Sequence, residues 1–186
     1  MNLILIRHPE SEFNTKQTTD LNSRLTIKGL KQAVLTAEFL EEYLHNDDTN
    51  YTIEYSPYDR TTILTEIIQY RLGYCINKNI VLREHLYLSE ISQNQLPLKV
   101  DGFQFWDESY SSIFYRMYDY YYSKCIDKPK IIVSHGTPIH ILRYLCSGGI
   151  EYCISLEQFD KNIKNASITH FVDGKFLLDN YVGHLK

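Results

Sequence analysis

The sequence predicts an α/β fold. It has three layers, with helices on both faces of a largely parallel central sheet and a C-terminal hairpin. Three observations predict this. Leu3-Ile4-Leu5-Ile6 and Lys130-Ile131-Ile132-Val133 are nearly unbroken apolar runs of strand length, as strands buried on both faces require. Strand-like runs alternate with segments of three- and four-residue apolar spacing, the pattern of parallel strands joined by helices. Late in the chain, Asp173-Gly174 stands between two β-rich runs, which is a hairpin signal.

The elements follow in order. After the first strand, residues 15–23 are rich in Thr, Asn and Lys and read as a polar loop. Thr26 is placed to cap a helix whose buried face carries Leu30, Ala33, Val34, Ala37, Leu40 and Leu44. Tyr51 to Tyr55 is a second strand. Ser56-Pro57 reads as an N-cap and first helical residue, opening a helix with Ile63, Leu64, Ile67, Ile68 and Leu72 on one face and Gly73 as its stop. Ile80-Val81-Leu82 is a short third strand, His85 to Gly102 a loop, and Phe103 to Cys125 an aromatic helix. After the Lys130 strand, a helix runs from about Pro138 to Cys146 and closes at Gly148-Gly149. The hairpin pairs Ser167–Phe171 with Lys175–Leu178 through a connection of two residues or more.

At 186 residues the chain is expected to be one domain, 1–186, with a core of its own. A net charge of -4 argues against a nucleic-acid partner, which needs a basic surface. The four cysteines, Cys75, Cys125, Cys146 and Cys153, form no C-x-x-C pair and no zinc pattern. Arg7 interrupts the N-terminal apolar run too early for a signal peptide, and no stretch is long enough to span a bilayer. Reduced thiols, a cytoplasmic location and no membrane partner are expected.

Chemistry-bearing residues recur where strands end. Arg7 and His8 follow the first strand, Arg60 lies at the start of the helix after the second, Glu84 follows the third, and His135 follows the fourth. If these strands are parallel and adjacent, all five groups meet at one rim, where ligands bind in open α/β sheets. Two Arg and two His are costly to cluster without an anion. A phosphoryl group, carrying roughly -1.5 to -2 charges, removes the conflict and matches the guanidinium fork.

The motifs around these residues resemble the histidine phosphatase superfamily, the phosphoglycerate mutase-like family. They are Arg7-His8-Pro9-Glu10-Ser11-Glu12-Phe13-Asn14, then Leu25-Thr26 through Gly29 to Gln32-Ala33, Ser56-Pro57-Tyr58-Asp59-Arg60, Leu82-Arg83-Glu84, and Ser134-His135-Gly136. They stand in the family's order, and a late Asn165 matches as well. Pro9 replaces the family's glycine. The resemblance implies a metal-independent phosphatase, without cofactor, acting on a small phosphorylated partner. His8 is the implied nucleophile, giving a phosphohistidine. Arg7, Arg60, His135, Gly136 and Asn14 are the implied phosphate ligands, with His135 also counted as catalytic. Glu84 is the implied general acid, which calls for a raised pKa and a partly buried position; Glu90 and Glu108 are its rivals. The segment 84–125 is expected to cap the substrate. His85, His140 and His170 read as structural, and His45 and His184 as surface residues.

Mutases of the family resemble one another in a Gly-x-Trp-Glu-Gly after the acid and in extra basic residues. Here His85 to Glu90 follows, and Lys99 is the only Lys or Arg before Trp106, so hydrolysis is favoured over isomerisation. A mutase-like phosphotransferase and an inactive phosphate-binding module stay as alternatives. A two-histidine phosphodiesterase needs two His-x-Thr/Ser motifs, and only His135-Gly136-Thr137 is present. Gly-rich nucleotide loops are missing.

Overall fold

The computed structural model describes residues 1–75, 80–84, 88, 99–100, 103–104, 110–125, 128–148 and 162–186; residues 99–100, 103–104 and 110–112 are described by backbone alone. The chain forms a six-stranded mixed sheet flanked by helices. Its strands are β1 (Asn2–Arg7), β2 (Thr52–Tyr55), β3 (Val81–Glu84), β6 (Lys130–Ser134), β7 (Ile168–Val172) and β8 (Lys175–Tyr181), in the order β3-β2-β6-β1-β7-β8. The first four positions of that order are parallel neighbours, and β7 and β8 add antiparallel. A separate two-stranded ladder pairs β4 (Lys99–Val100) with β5 (Phe103–Gln104).

The alternation of side chains along β1 divides the core. Ile4 and Ile6 pack with Ala33, Ala37 and Leu40 of α1 (Ile27–Tyr43) and with Leu64 and Ile68 of α2 (Asp59–Tyr70). Leu3 and Leu5 pack on the other face with Met117 and Tyr120 of α3 (Tyr110–Tyr120) and Ile139 and Leu142 of α4 (Gly136–Cys146). Three layers result, as a strand buried on both faces demands.

Several expectations hold to the residue. Thr26 caps α1, its Oγ1 accepting the Gly29 N–H at 2.9 Å. Gly148 takes a left-handed φ of 78° after α4. The terminal hairpin closes in two residues, Asp173 and Gly174, both at positive φ.

Others are corrected. Leu30 and Val34 lie on the exposed side of α1, whose buried line is Gly29, Ala33, Thr36, Ala37 and Leu40. The helix is turned so that its smallest residues meet the protein. Ser56-Pro57 precedes α2 rather than opening it, and Tyr58 is the N-cap. Gly73 does not stop the helix, because a π-helical turn continues over Arg71–Cys75. β4 falls inside the expected loop, and the aromatic helix begins at Tyr110, not Phe103. The α4 helix starts at Gly136, leaving Pro138 in its first turn. His184 is half-buried, its Nε2 3.1 Å from Thr36 Oγ1. Cys75, Cys125 and Cys146 are free thiols, and among the described residues no helix is long and apolar enough to cross a membrane. Cys153, His85, Glu90, Glu108 and Gly149 lie outside the described residues, as does much of the expected cap over 84–125.

Candidate active site

Parallel register brings the ends of β1, β6, β2 and β3 to one rim. Arg7 pairs with Ser134, and Tyr55 lies level with Val133 on one side and Glu84 on the other. The order places β6 between β1 and β2, so the chain leaves β1, crosses over β6, and later returns between the two. Such reversals open the crevice where α/β proteins bind ligands.

His8 is pinned by its backbone at this point. Its N–H donates to Ser134 O at 2.9 Å and its carbonyl accepts from Ala166 N at 3.2 Å. The loop that follows is clamped by α1 and the residues before it. Glu10 O accepts from Thr26 N at 3.1 Å, Glu10 N donates to Gln32 Oε1 at 2.9 Å, and Lys28 pairs with the Glu10 carboxylate. A Cβ on Gly29 would lie 1.9 Å from Glu10 O. The motif from Leu25 to Gln32 therefore acts as a cradle for the His8 loop, and only glycine allows the close approach.

His8 is buried, with 2% of its surface exposed. Its Nδ1 donates to the carbonyl of Pro9 at 2.7 Å, which leaves Nε2 with a lone pair. Proline at this position keeps the one backbone group that the ring uses. Burial first, then the charges of Arg60 and Arg7, holds the ring well below the usual histidine range, so it is neutral.

His135 follows β6 and is the N-cap of α4, and it is fully buried. Its ring centroid is 5.1 Å from that of His8. Arg60 Nη2 donates to its Nδ1 at 3.1 Å, and Ser56 Oγ lies 2.8 Å from its Nε2. Tyr58 stands edge-on to the ring at 5.2 Å and carries the Arg60 guanidinium over its own face at 4.7 Å. Burial, then Arg60, His8, Arg7 and Arg116, keeps this second imidazole neutral too.

The two arginines are tethered by main-chain carbonyls, Arg7 to Ile163 O and Arg60 to Leu21 O. Arg7 also packs against Gly136, where an added Cβ would sit 3.7 Å from its guanidinium carbon. Asn14 is held through its oxygen, which accepts from Asn165 Nδ2 at 2.8 Å and from Ser11 Oγ at 3.1 Å. That leaves its amide N–H groups as donors. Asn165 Nδ2 also reaches the carbonyls of His8 at 3.2 Å and Pro9 at 3.1 Å.

Thus Arg60, His8 and His135 meet directly, with Arg7 beside Gly136 and Asn14 linked through Asn165. Glu84 lies on the same rim but is exposed, not partly buried as expected. It ends β3, which among the described residues pairs with a strand on one side only. Its nearest described effect is on Tyr55, whose hydroxyl is pushed up by burial and then by Glu84 and Glu66.

Sequence reasoning missed Ser56 and Tyr58 as neighbours of His135, and it missed Arg116. The last had a signal. Ile113, Arg116, Met117 and Tyr120 recur at helical spacing, and a cation on a buried helix face asks for an anion or a carbonyl.

Comparison with known proteins gives the family and the fold. The model of the histidine phosphatase superfamily (branch 1) matches residues 3–175. No curated protein matches the chain. Among solved structures, phosphoserine phosphatase from Entamoeba histolytica in complex with 3-phosphoglyceric acid is similar at 22% identity and a TM-score of 0.67, covering 100% of this chain and 99% of that one. A mutant of that phosphatase in complex with phosphoserine gives 20% identity and a TM-score of 0.68, covering 100% and 99%. The mycobacterial glucosyl-3-phosphoglycerate phosphatase in complex with VO3 gives 18% and 0.61, covering 96% and 97%. At such identities the likeness shows the fold.

Proposed function

The chain belongs to the histidine phosphatase superfamily, branch 1, and on that premise we propose that it is a phosphomonoester hydrolase working through a phosphohistidine. The observation that carries this reading is the state of His8. It is buried, neutral and tautomerically set by Pro9, with a bare Nε2 among cationic groups. A nucleophile for phosphorus needs a lone pair at a rigid position, and its neighbours must offset the charge that builds on the equatorial oxygens.

In this reading Nε2 of His8 attacks phosphorus. Arg7, Arg60, Asn14 and the first turn of α4 at Gly136 hold the oxygens, with His135 as a further ligand. Glu84 protonates the leaving oxygen and then takes a proton from the attacking water. The substrate class is a small phosphorylated molecule; the similar structures named above hold 3-phosphoglyceric acid and phosphoserine.

A mutase-like phosphotransferase is the second reading, favoured by one observation. Arg116 adds a buried cation whose field reaches His135, a feature that suits a second anionic group. Parallel assays of p-nitrophenyl phosphate hydrolysis and 3-phosphoglycerate isomerisation separate the two. Hydrolysis with acid-labile phosphate trapped on the wild type, and none on His8→Ala, is the expected result. Isomerisation without hydrolysis would overturn the phosphatase reading.

A further inference from the structure

Both ring nitrogens of His135 are already engaged by the protein. Nδ1 lies 3.1 Å from Arg60 Nη2, and Nε2 lies 2.8 Å from Ser56 Oγ. A guanidinium only donates, so Nδ1 must accept. In a neutral imidazole the proton then sits on Nε2 and is given to Ser56.

Ser56 is placed for this by its main chain, not by the helix after it. It is fully buried. Its N–H donates to Val133 O at 3.1 Å, extending the β2–β6 ladder, and its carbonyl accepts from Thr61 Oγ1 at 2.7 Å. Its hydroxyl is thereby aimed across the rim at a ring 79 positions away in sequence. A serine before a helix ordinarily spends its hydroxyl on the helix N-terminus, and here Tyr58 occupies the cap position without a side-chain bond.

A ring held this way offers an anion no donor. Nε2–H points at Ser56, and Nδ1 carries no proton, its lone pair facing Arg60. An oxyanion entering between Arg60 and His135 would accept from Arg60 but meet a lone pair on Nδ1. For the ring to become a ligand, Nδ1 must gain a proton. Ser56 can accept from Nε2–H before and after this change, so nothing on its side has to move.

Resting on the phosphatase reading, we propose that Ser56 is a positioning residue whose hydroxyl accepts the Nε2 proton of His135 in both states, so that the ring meets the phosphoryl group as an imidazolium donating from Nδ1. One proton is taken up at Nδ1 with the anion, from solvent or from the monoprotonated phosphoryl group. No bond at Ser56 is made or broken. The added positive charge lies against the roughly -1.5 to -2 charges of the phosphoryl group.

The test uses protein labelled with 15N at histidine, with long-range proton–nitrogen NMR of the ring nitrogens and His135→Gln to assign the signals. Free protein is expected to show Nε2–H with bare Nδ1. Saturation with inorganic phosphate is expected to protonate Nδ1 and leave the Nε2 proton in place. A free ring carrying its proton on Nδ1, or a complex with either nitrogen bare, overturns the proposal. Ser56→Ala is expected to lower kcat about tenfold and to move the alkaline limb of the pH–kcat profile to lower pH, because the imidazolium loses its acceptor. Ser56→Thr is expected to restore both. A fall in rate with an unmoved limb would mean a structural role and overturn the positioning role. Hydrolysis together with bare Nδ1 in the complex defeats this proposal alone. No hydrolysis and no response to phosphate defeats the phosphatase reading, and the proton uptake with it.

Discussion

The Nδ1 of His8 lies 2.7 Å from the carbonyl oxygen of its own neighbour, Pro9. This contact aims the ring. It places the proton on Nδ1, leaves Nε2 free, and costs no side chain from elsewhere in the fold. Asn165 shares the same carbonyl at 3.1 Å, so the oxygen that orients the ring is itself held.

Asn165 is therefore expected to matter through orientation. Its amide nitrogen meets the oxygens of His8, Pro9 and Asn14. Asn165→Ala removes the donor; Asn165→Asp puts a carboxylate against three acceptors. Activity is expected to fall about tenfold in the first and further in the second. In a double-mutant cycle on kcat/KM, Asn14→Ala is expected to cost less in the Asn165→Ala background than in the wild type.

Gly29→Ala is expected to destabilise. In an ordinary helix interior the change gains about 1 kcal/mol. Here the new Cβ would lie 1.9 Å from a backbone oxygen, Glu10 O, that no side-chain rotation can move aside. Overpacking of this kind costs about 1–3 kcal/mol, so the clash decides the sign. Denaturant midpoints check the stability, and a parallel loss of kcat would report displacement of the His8 loop.

Stability is expected to fall as pH drops below about 6.5, the ordinary histidine value. His8 and His135 are both held well below it, by burial first and then by arginine charge. The unfolded chain therefore binds more protons than the folded one in this window, which favours unfolding as pH falls. The stabilisation is full above the unfolded value and is lost below it, at up to about 1.4 kcal/mol per pH unit for each ring. Thermal melts of wild type and of the His8→Gln, His135→Gln double variant between pH 8 and 5, the test range, are expected to diverge, with the variant flatter.

Glu84→Gln is expected to discriminate by leaving group. An alkyl phosphate needs its leaving oxygen protonated, and kcat should drop by about 10². The attack step on p-nitrophenyl phosphate, whose leaving group is good, should be nearly spared in single-turnover measurements. Equal rates of wild type and variant on both substrates would remove Glu84 from the acid role.

Lys130 of β6 and Glu54 of the neighbouring β2 form a buried ion pair, with Tyr120 donating to Glu54 Oε2 at 2.5 Å. Lys130→Met leaves the carboxylate without its cation, and a loss of about 3–5 kcal/mol is expected by equilibrium unfolding. The double variant Lys130→Met, Glu54→Leu is expected to recover a large part of it.

What was legible in the sequence was local or carried by motif. Leu3 to Ile6 had to be a doubly buried strand because no polar side chain interrupts it. Thr26 had to cap a helix because its hydroxyl matches a free N–H one turn on. Asp173-Gly174 had to turn because both residues tolerate positive φ. The placing of Arg7, His8, Glu84 and His135 at or just after strand ends, and of Arg60 at the start of the helix after β2, was legible too, since parallel strands share one carboxyl rim. Only the tertiary structure decided which atoms meet there. The approach of Gly29 to Glu10 turned α1 and left Leu30 and Val34 outside. Among the described residues β3 is an edge strand, and Glu84 at its end is exposed. Val133 drew Ser56 out of the helix and toward His135, and Asn165 reached Pro9 across most of the chain. The physical reason is the range of the interactions. Periodicity and caps act within a turn or two, whereas hydrogen bonds between strand ends depend on strand order, which no local signal encodes.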